Sequence, residues 1–483
     1  MRSLLLNPPF LPKFSRQSRS PAVTKSGTIY MPILLSYCCG VLEKEGFDVK
    51  LVDAPVKCYT DEQVLNIIDE FKPQLVVIDT STPSIKNDVK FVEKIKNKIN
   101  TFVILVGTHA SALPEQTLNM SNKIDAIAIG EYDYTIKDLA HALEERKDLN
   151  NVRGILYKKD EETIRTGERP FIENLDELPF VSSVYKKHLD IRDYFFAAAE
   201  YPMIMIFTGR GCPFKCFFCM YPQTLYGRKY RLRSAGNVVE EFQYIIDNFP
   251  KVKEIGIEDD TFTADLERAR KFCELLIERG INKKIKWWAN VRVNLDLKTM
   301  SLMKKAGCRL VIPGYESGVQ EILNNSHKGI TIEQSVEFAK NTKKIGLLVH
   351  GCFIFGLPGE TRATIKKTIE FAKKLNPDTA QFFPLMVYPG TEAYEWAKKN
   401  GYLMTEDYAK WLTPQGMHRT VINLPGLTNE ELVEICDHAR KKFYLRSDYI
   451  FYKIKQSLLH FEEAKRNLKT ARTFFKHIFQ KSE

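Results

Sequence analysis

Met203-Ile204-Met205-Ile206-Phe207-Thr208-Gly209-Arg210-Gly211-Cys212-Pro213-Phe214-Lys215-Cys216-Phe217-Phe218-Cys219 opens as a strand and closes as a cysteine cluster. Its first five residues form a short apolar run bounded by a glycine-bearing turn, the pattern of a buried strand. Comparable runs follow at Glu254–Ile257, Lys286–Ala289, Arg309–Ile312, Leu347–Phe355 and Ala380–Phe383, most of them separated by helical patterns. Such alternation predicts parallel strands covered by helices. Six strand–helix units are fewer than the eight that close a barrel, so residues 199–425 are expected to form an open, six-unit (β/α) partial barrel of TIM type. In that architecture chemistry gathers at the carboxyl ends of the strands, and the cysteines directly follow the first one.

Upstream, residues 1–145 carry their own alternation: strands at Ser3–Leu6, Val49–Val52, Leu75–Ile78, Phe102–Val106 and Ala126–Ile129, with helices at Ile33–Glu45, Asp61–Phe71 and Ile85–Ile99. This predicts a Rossmann-like α/β domain whose ligand lies beyond the strand ends. Asp53, Asp79-Thr80-Ser81-Thr82, Gly107-Thr108-His109-Ala110-Ser111 and Gly130-Glu131 occupy those ends. Residues 146–198 read as a connector and 426–483 as a basic helical region.

The chain has 483 residues, enough for about two to four domains. Hydrophobic residues make up 44% and charged residues 27%, which excludes a disordered or fibrous chain. No run reaches the ~18–20 apolar residues that cross a bilayer, and Met1–Pro9 is too short for a secretion signal, so the cytoplasm is the expected compartment. The formal net charge is +11, of which +8 falls between Arg440 and Glu483, leaving a nearly neutral body unsuited to coating nucleic acid. Ten cysteines are too sparse for a disulfide scaffold.

Three of them stand at Cys212, Cys216 and Cys219, the spacing C-x3-C-x2-C. Cysteine thiolates hold iron–sulfur clusters, and a four-iron cubane takes four ligands. Three ligands leave one iron open, which suits chemistry better than structure. Phe214, Phe217 and Phe218 between them shield such a site from water. Structural zinc prefers four ligands in paired C-x2-C form, with no second pair nearby; zinc and merely buried thiols remain minor alternatives. The seven other cysteines read as core residues, with Cys308 and Cys352 the two that suit a barrel interior.

Arg210 through Cys219 resemble the cluster loop of radical S-adenosylmethionine (SAM) enzymes. Further segments match in order. Ile257-Glu258-Asp259-Asp260-Thr261-Phe262 resembles the end of the second barrel strand, where the resemblance assigns Asp259 and Asp260 to the methionyl amino group. Gly314-Tyr315-Glu316-Ser317-Gly318 resembles the fourth-strand motif, which assigns Glu316, Ser317 and Gly318 to the ribose or amino group. Phe353–Thr361 resembles the fifth-strand adenine motif, through Ile354, Gly356 and Pro358. Tyr388-Pro389-Gly390-Thr391 matches a sixth-strand motif. The N-terminal domain resembles the cobalamin-binding domain of cobalamin-dependent members, including those associated with hopanoid lipids and oxidative cyclisation. That places Asp53, Thr80, Ser81, Gly107, Thr108, His109, Ala110, Gly130 and Glu131 against the corrin. The Asp-x-His-x-x-Gly segment that supplies a lower histidine ligand elsewhere is absent, so cobalamin without a histidine ligand is implied; a domain that has lost the corrin is the alternative.

The resemblance implies a 4Fe-4S cluster that donates an electron to SAM, a 5′-deoxyadenosyl radical, and C-methylation, rearrangement or cyclisation at an unactivated carbon. It also implies an external electron donor of flavodoxin or ferredoxin type. The basic, aromatic-bearing tail (Lys441, Lys442, Tyr449, Phe451, then Phe474, Phe475, Ile478, Phe479) is of a kind that rests on anionic membranes; a helix packed on the barrel is the bland reading. Together with the Arg- and Ser-rich stretch Phe10–Tyr30, which is long enough to close over a cofactor or substrate, it points to a small, lipid-like substrate and contact with the cytoplasmic membrane face through residues 440–483. Two other functions compete. A methylthiotransferase-like RNA modifier would need a second cysteine trio, which Cys38, Cys39 and Cys58 do not provide. A corrin- or metal-sensing binding protein would have no use for complete SAM motifs.

Overall fold

In the computed structural model, residues 1–160, 162–459 and 464 are described. The first sheet is built from β1 (Arg2–Asn7), β2 (Asp48–Asp53), β3 (Leu75–Thr80), β4 (Phe102–Gly107), β5 (Ala126–Ala128), β6 (Ile155–Lys159) and β7 (Glu162–Arg165). Their spatial order is β2-β1-β3-β4-β5-β6-β7. The first five are parallel, and β6 and β7 add an antiparallel edge. Leu4–Leu6, Leu75–Ile78 and Val103–Val106 are buried throughout, as strands covered on both faces must be. The stretch expected to be a connector therefore contributes two strands to this sheet; its pattern was masked by the two lysines that end β6 and by the edge strand β7, whose Glu162, Thr163 and Arg165 face water. The same stretch adds a helix, Val181–His188, packed against the helix Ile33–Lys44.

The second half starts with β8 (Met203–Ile206), a two-residue ribbon of β9 (Gly209–Arg210) and β10 (Arg231–Leu232), then β11 (Glu254–Ile257), β12 (Lys286–Val291), β13 (Cys308–Glu316), β14 (Leu348–Phe355) and β15 (Thr379–Pro384). β8 and β11–β15 form one six-stranded parallel sheet in the order β15-β14-β13-β12-β11-β8, the open partial barrel the alternation predicts. β13 runs four residues past the expected Ile312. Pro313 and Gly314 read as strand breakers, but the ladder to β14 slips between Gly314 and Glu316, and a bulge accommodates both. Alternation along β14 turns His350, Cys352 and Ile354 to one face and Val349, Phe353 and Phe355 to the other. Phe353 and Phe355 stack on Phe382, which packs on Phe443 of the helix Asn429–Tyr444, so that face is the helix-covered exterior. His350, Cys352 and Ile354 therefore look into the barrel. Trp288 crosses the interior: a Cβ on Gly256 would lie 2.1 Å from its ring, which explains the glycine in β11.

Glu254 and Arg309 close the amino-terminal end with two contacts of 2.9 Å. After Asn429–Tyr444 a helix spans Ser447–Leu459. The expected tail residues Phe474, Phe475, Ile478 and Phe479 lie outside the described residues. No described helix is long and apolar enough to cross a membrane.

Candidate functional site

The two sheets point their carboxyl edges at a common region. On the N-terminal side, Asp53 accepts hydrogen bonds from Asn7 (3.2 Å) and Tyr194 (3.1 Å), and burial raises its carboxyl to about 6. Burial raises Asp79 further, to about 7, although Gln17 donates to it at 2.9 Å. Thr80 Oγ1 donates to the Val106 carbonyl and accepts from Ala110 N–H, while Ser81 bonds Ser84. Gly107 has φ +101°, and a Cβ there would meet Asp79 at 2.4 Å and the Thr80 carbonyl at 2.6 Å, so only glycine lets β4 turn here. A small cavity lies at this edge, with Gln17, Ser18, Leu34, Asp79, Thr108 and Tyr221 in its wall.

His109 and Glu131 stand elsewhere. His109 is buried with its Nδ1 on Thr82 and its ring against Tyr408, and burial lowers its pKa to about 3, so it is neutral. Glu131 accepts from Arg210 and Arg231, each at 2.7 Å. Gly130 N–H donates to Ser111. Arg210, two residues before Cys212, also pairs with Asp133 at 2.6 Å and lies over Tyr37 and Tyr226. The first domain thus grips the base of the cysteine loop.

Gly211 (φ +84°) turns the chain so closely past Lys229 that a Cβ would lie 2.2 Å from its carbonyl. Cys212 and Cys216 are buried and Cys219 half-buried, all as free thiols. The loop is held by its backbone: Cys212 N–H donates to Gly227, Phe217 N–H to Ser326 and Cys219 N–H to Cys216. Arg292, from the end of β12, caps it with its guanidinium 3.7 Å from the Phe214 ring centre. Phe218 is half-buried, edge-on to Phe217. Burial raises the Cys212 and Cys219 thiols, so an incoming metal group would have to displace their protons.

Next to this loop the end of β11 presents three acids, and strand alternation separates them. Asp259 turns back to cap β8, accepting from Thr208 N–H, Gly209 N–H and the hydroxyls of Thr208 and Tyr230. Glu258 and Asp260 turn the other way and share Arg19, at 2.7 and 3.1 Å. Thr261 Oγ1 sits 3.9 Å from Cys212 Sγ. Across the mouth, Glu316 has φ +59°, a left-handed conformation costly for a non-glycine residue. Its carboxylate pairs at 2.7 Å with Lys328. Burial opposes the Lys328 charge, but Glu316 prevails and its pKa is raised. Ser317 and Gly318 lock the end of β13 to the helix Arg362–Leu375 through Thr368. Gly356 and Leu357 N–H both donate to Glu360, whose carboxyl burial raises to about 8 and whose Oε1 has no partner among the described residues. Pro358 accepts from Asn325.

Arg19, Glu258, Arg292 and Lys328 were not among the residues the motifs assign. The two-residue period of β11 would have exposed Glu258, and Arg292 stands directly after β12; nothing local marks Arg19 and Lys328, which arrive from distant loops.

The donor set suits a cluster. Three thiols, without carboxylate or imidazole among them, are soft ligands. Among the described residues, the one trio of ligand-type atoms all within 4.8 Å of one another is Cys39, Glu43 and His188, so the loop cysteines stand wider than one ion requires. At the first sheet the buried Asn7 Oδ1 lacks a partner among the described residues, spare capacity for a polar ligand, and Arg16, Gln17 and Ser18 line the small cavity there. A Rossmann-like sheet facing an open barrel with a three-cysteine loop defines a two-cofactor enzyme.

Comparison with known proteins agrees. Residues 206–372 match the radical SAM superfamily and residues 19–140 the B12 binding domain. An uncharacterised methyltransferase of Pyrococcus horikoshii is 36% identical over 423 residues, 87% of this chain and 89% of that one. The anaerobic magnesium-protoporphyrin IX monomethyl ester cyclase of Cereibacter sphaeroides is 26% identical, over 87% and 68% of the two chains. The fold is shared with TsrM of Kitasatospora setae, a radical SAM methyltransferase with cobalamin and a [4Fe-4S] cluster bound, at TM-score 0.69, 18% identity, and 91% and 90% coverage. The chain belongs to the cobalamin-dependent radical SAM enzymes, a family of methyltransferases and cyclases. Its cofactors are the cluster, SAM and cobalamin.

Proposed function

We propose that this enzyme transfers a methyl group to an unactivated carbon of a small, lipid-like molecule at the cytoplasmic face of a membrane. The supporting observation is the convergence of three features on one gap: the cysteine loop, the Glu258–Asp260 pair and the carboxyl edge of the first sheet, with residues 16–20 in contact with the last two. When bound, the reduced cluster supplies an electron to the SAM sulfonium and the corrin a transferable methyl group. The protein's part is to hold and shield. Cys212, Cys216 and Cys219 would ligate the cluster, and Glu258 and Asp260 would receive the methionyl ammonium. Glu316, fixed by Lys328, would meet the ribose, and the backbone around Gly356 the adenine. Trp288 and Phe196, with ring centres 4.9 Å apart, keep the barrel floor apolar, while His350 and Gln381 (3.2 Å) offer one polar anchor for a substrate.

The lipid reading rests on the helix Ser447–Leu459. Phe451, Ile454 and Leu458, spaced three and four apart, are 72%, 54% and 83% exposed, and lysines flank them. An external flavodoxin- or ferredoxin-type donor would supply the electron. The test is incubation of anaerobic holoenzyme with a reductant, SAM labelled in its methyl group, and membrane lipid extracts. Label in a lipid product together with 5′-deoxyadenosine supports the proposal. Formation of 5′-deoxyadenosine without a labelled lipid would refute the substrate class and methyl transfer to it.

A further inference from the structure

Residues 16–20 form a strap from one sheet to the other, and nearly every residue in it is tied. Arg16 is buried on Ser84 and Asp88, the latter at 2.6 Å. Gln17 donates to Asp79 (2.9 Å), accepts from Leu34 N–H (2.8 Å), and its carbonyl accepts from Tyr221 (3.0 Å). Arg19 then crosses to the barrel. It donates to the Glu258 carboxylate (2.7 Å), the Glu258 carbonyl (2.6 Å) and Asp260 (3.1 Å), with its guanidinium over Tyr221. Ser20 sits 2.9 Å from His418 Nε2 and 3.2 Å from the Tyr388 hydroxyl.

The contacts of Arg19 carry a consequence. Its carboxylate partners lie beside the cysteine loop: Asp260 is followed by Thr261, whose Oγ1 is 3.9 Å from Cys212 Sγ. The methionyl end of SAM brings an ammonium, a sulfonium and a carboxylate, a net charge of about +1, equal to that of a guanidinium. Both are N–H donors suited to the same carboxylate oxygens. A third of the Arg19 side chain remains open to solvent, so it can leave without crossing the core. We propose that Arg19 is a built-in competitor for the methionyl end of SAM, and that SAM seats by releasing the strap. Because Gln17 is two residues away and covers Asp79, release also uncovers the edge of the first sheet that faces the corrin. Coupling of this kind is reciprocal: whatever opens the strap at one cofactor favours the other.

This inference rests on the reading that Glu258 and Asp260 receive SAM. Equilibrium dialysis of SAM against anaerobic protein that carries its cluster but no cobalamin, so that the strap is closed at the start, compares the wild type with Arg19→Gln and, as a control in the same loop, Lys25→Ala, which breaks only the ion pair to Asp437. Arg19→Gln is expected to bind SAM roughly tenfold more tightly, as loss of a charge-assisted competitor warrants, and Lys25→Ala to bind as the wild type does. On wild-type enzyme, SAM is expected to speed tryptic cleavage after Arg16 and Arg19, a readout that needs no variant. Unchanged or weaker binding by Arg19→Gln, or cleavage indifferent to SAM, overturns the inference. If SAM still alters the signal of the reduced cluster in that case, the proposed function survives; if SAM does not bind the wild type, both fail.

Discussion

Asp259 and Asp260 are neighbours in the chain yet face opposite ways, and a motif cannot say which is which. Asp259 has its oxygens filled by the turn after β8, while Asp260 joins Glu258 at the mouth. The residue types and their place at the strand end were legible in the sequence; their division of labour follows from the two-residue period once the strand end is known. The spacing of Cys212, Cys216 and Cys219 marks them in the sequence as candidate cluster ligands, and the structure puts them on one largely buried loop. Replacing Cys212, Cys216 or Cys219 by alanine is expected to abolish bound iron, measured by metal analysis after anaerobic purification. Cys273→Ala, in the core, is expected to retain it. Asp79 supplies a pH signature. Its carboxyl is raised from the ordinary 3.8 to about 7 by burial, so between those values the folded protein holds more protons than the unfolded chain. Stability contributed here is therefore present at low pH and lost as pH rises through that window. Asp79→Asn, which mimics the protonated form, should flatten the fall in Tm between pH 5 and 8. A variant whose Tm tracks the wild type across that range would contradict this.

At the scale of elements, the alternation of runs revealed every parallel strand of both sheets and missed the antiparallel hairpin β6–β7, whose buried run Ile155–Tyr157 is short and whose edge strand β7 mostly faces water. It also ended β13 too early, because proline and glycine are discounted in strands although a bulge tolerates them. The junction between the domains was out of reach for another reason. Arg210 meets Glu131 and Asp133 from more than seventy residues away, and no local pattern encodes such a pair. With both acids buried, Arg210→Ala leaves the Asp133 carboxylate uncompensated, while Glu131 keeps Arg231, and is expected to cost about 3–5 kcal/mol, read as a lower Tm. Arg210→Lys should recover part of the loss. The helix Ser447–Leu459 makes a separate prediction: glutamate at Phe451, Ile454 and Leu458 should leave Tm within a few degrees of wild type but abolish flotation with anionic vesicles. Flotation equal to wild type would remove the membrane from the account.

The whole molecule is two parallel sheets meeting at their carboxyl edges, with residues 16–20 between them. The sheets were legible because each is built from local runs; the strap was not, because its partners are up to about four hundred residues distant in the chain, as with Ser20 and His418. This arrangement makes one central claim, that a cluster with an open iron and a corrin serve one gap. Anaerobically isolated, reductant-treated holoenzyme measured for iron and cobalt and then by electron paramagnetic resonance, with and without SAM, tests it most directly. The account predicts about four iron atoms per chain, cobalt equal to the chain, and a cluster signal that changes when SAM is added. Iron held without any response to SAM, or no cobalt after loading with cobalamin, would contradict it.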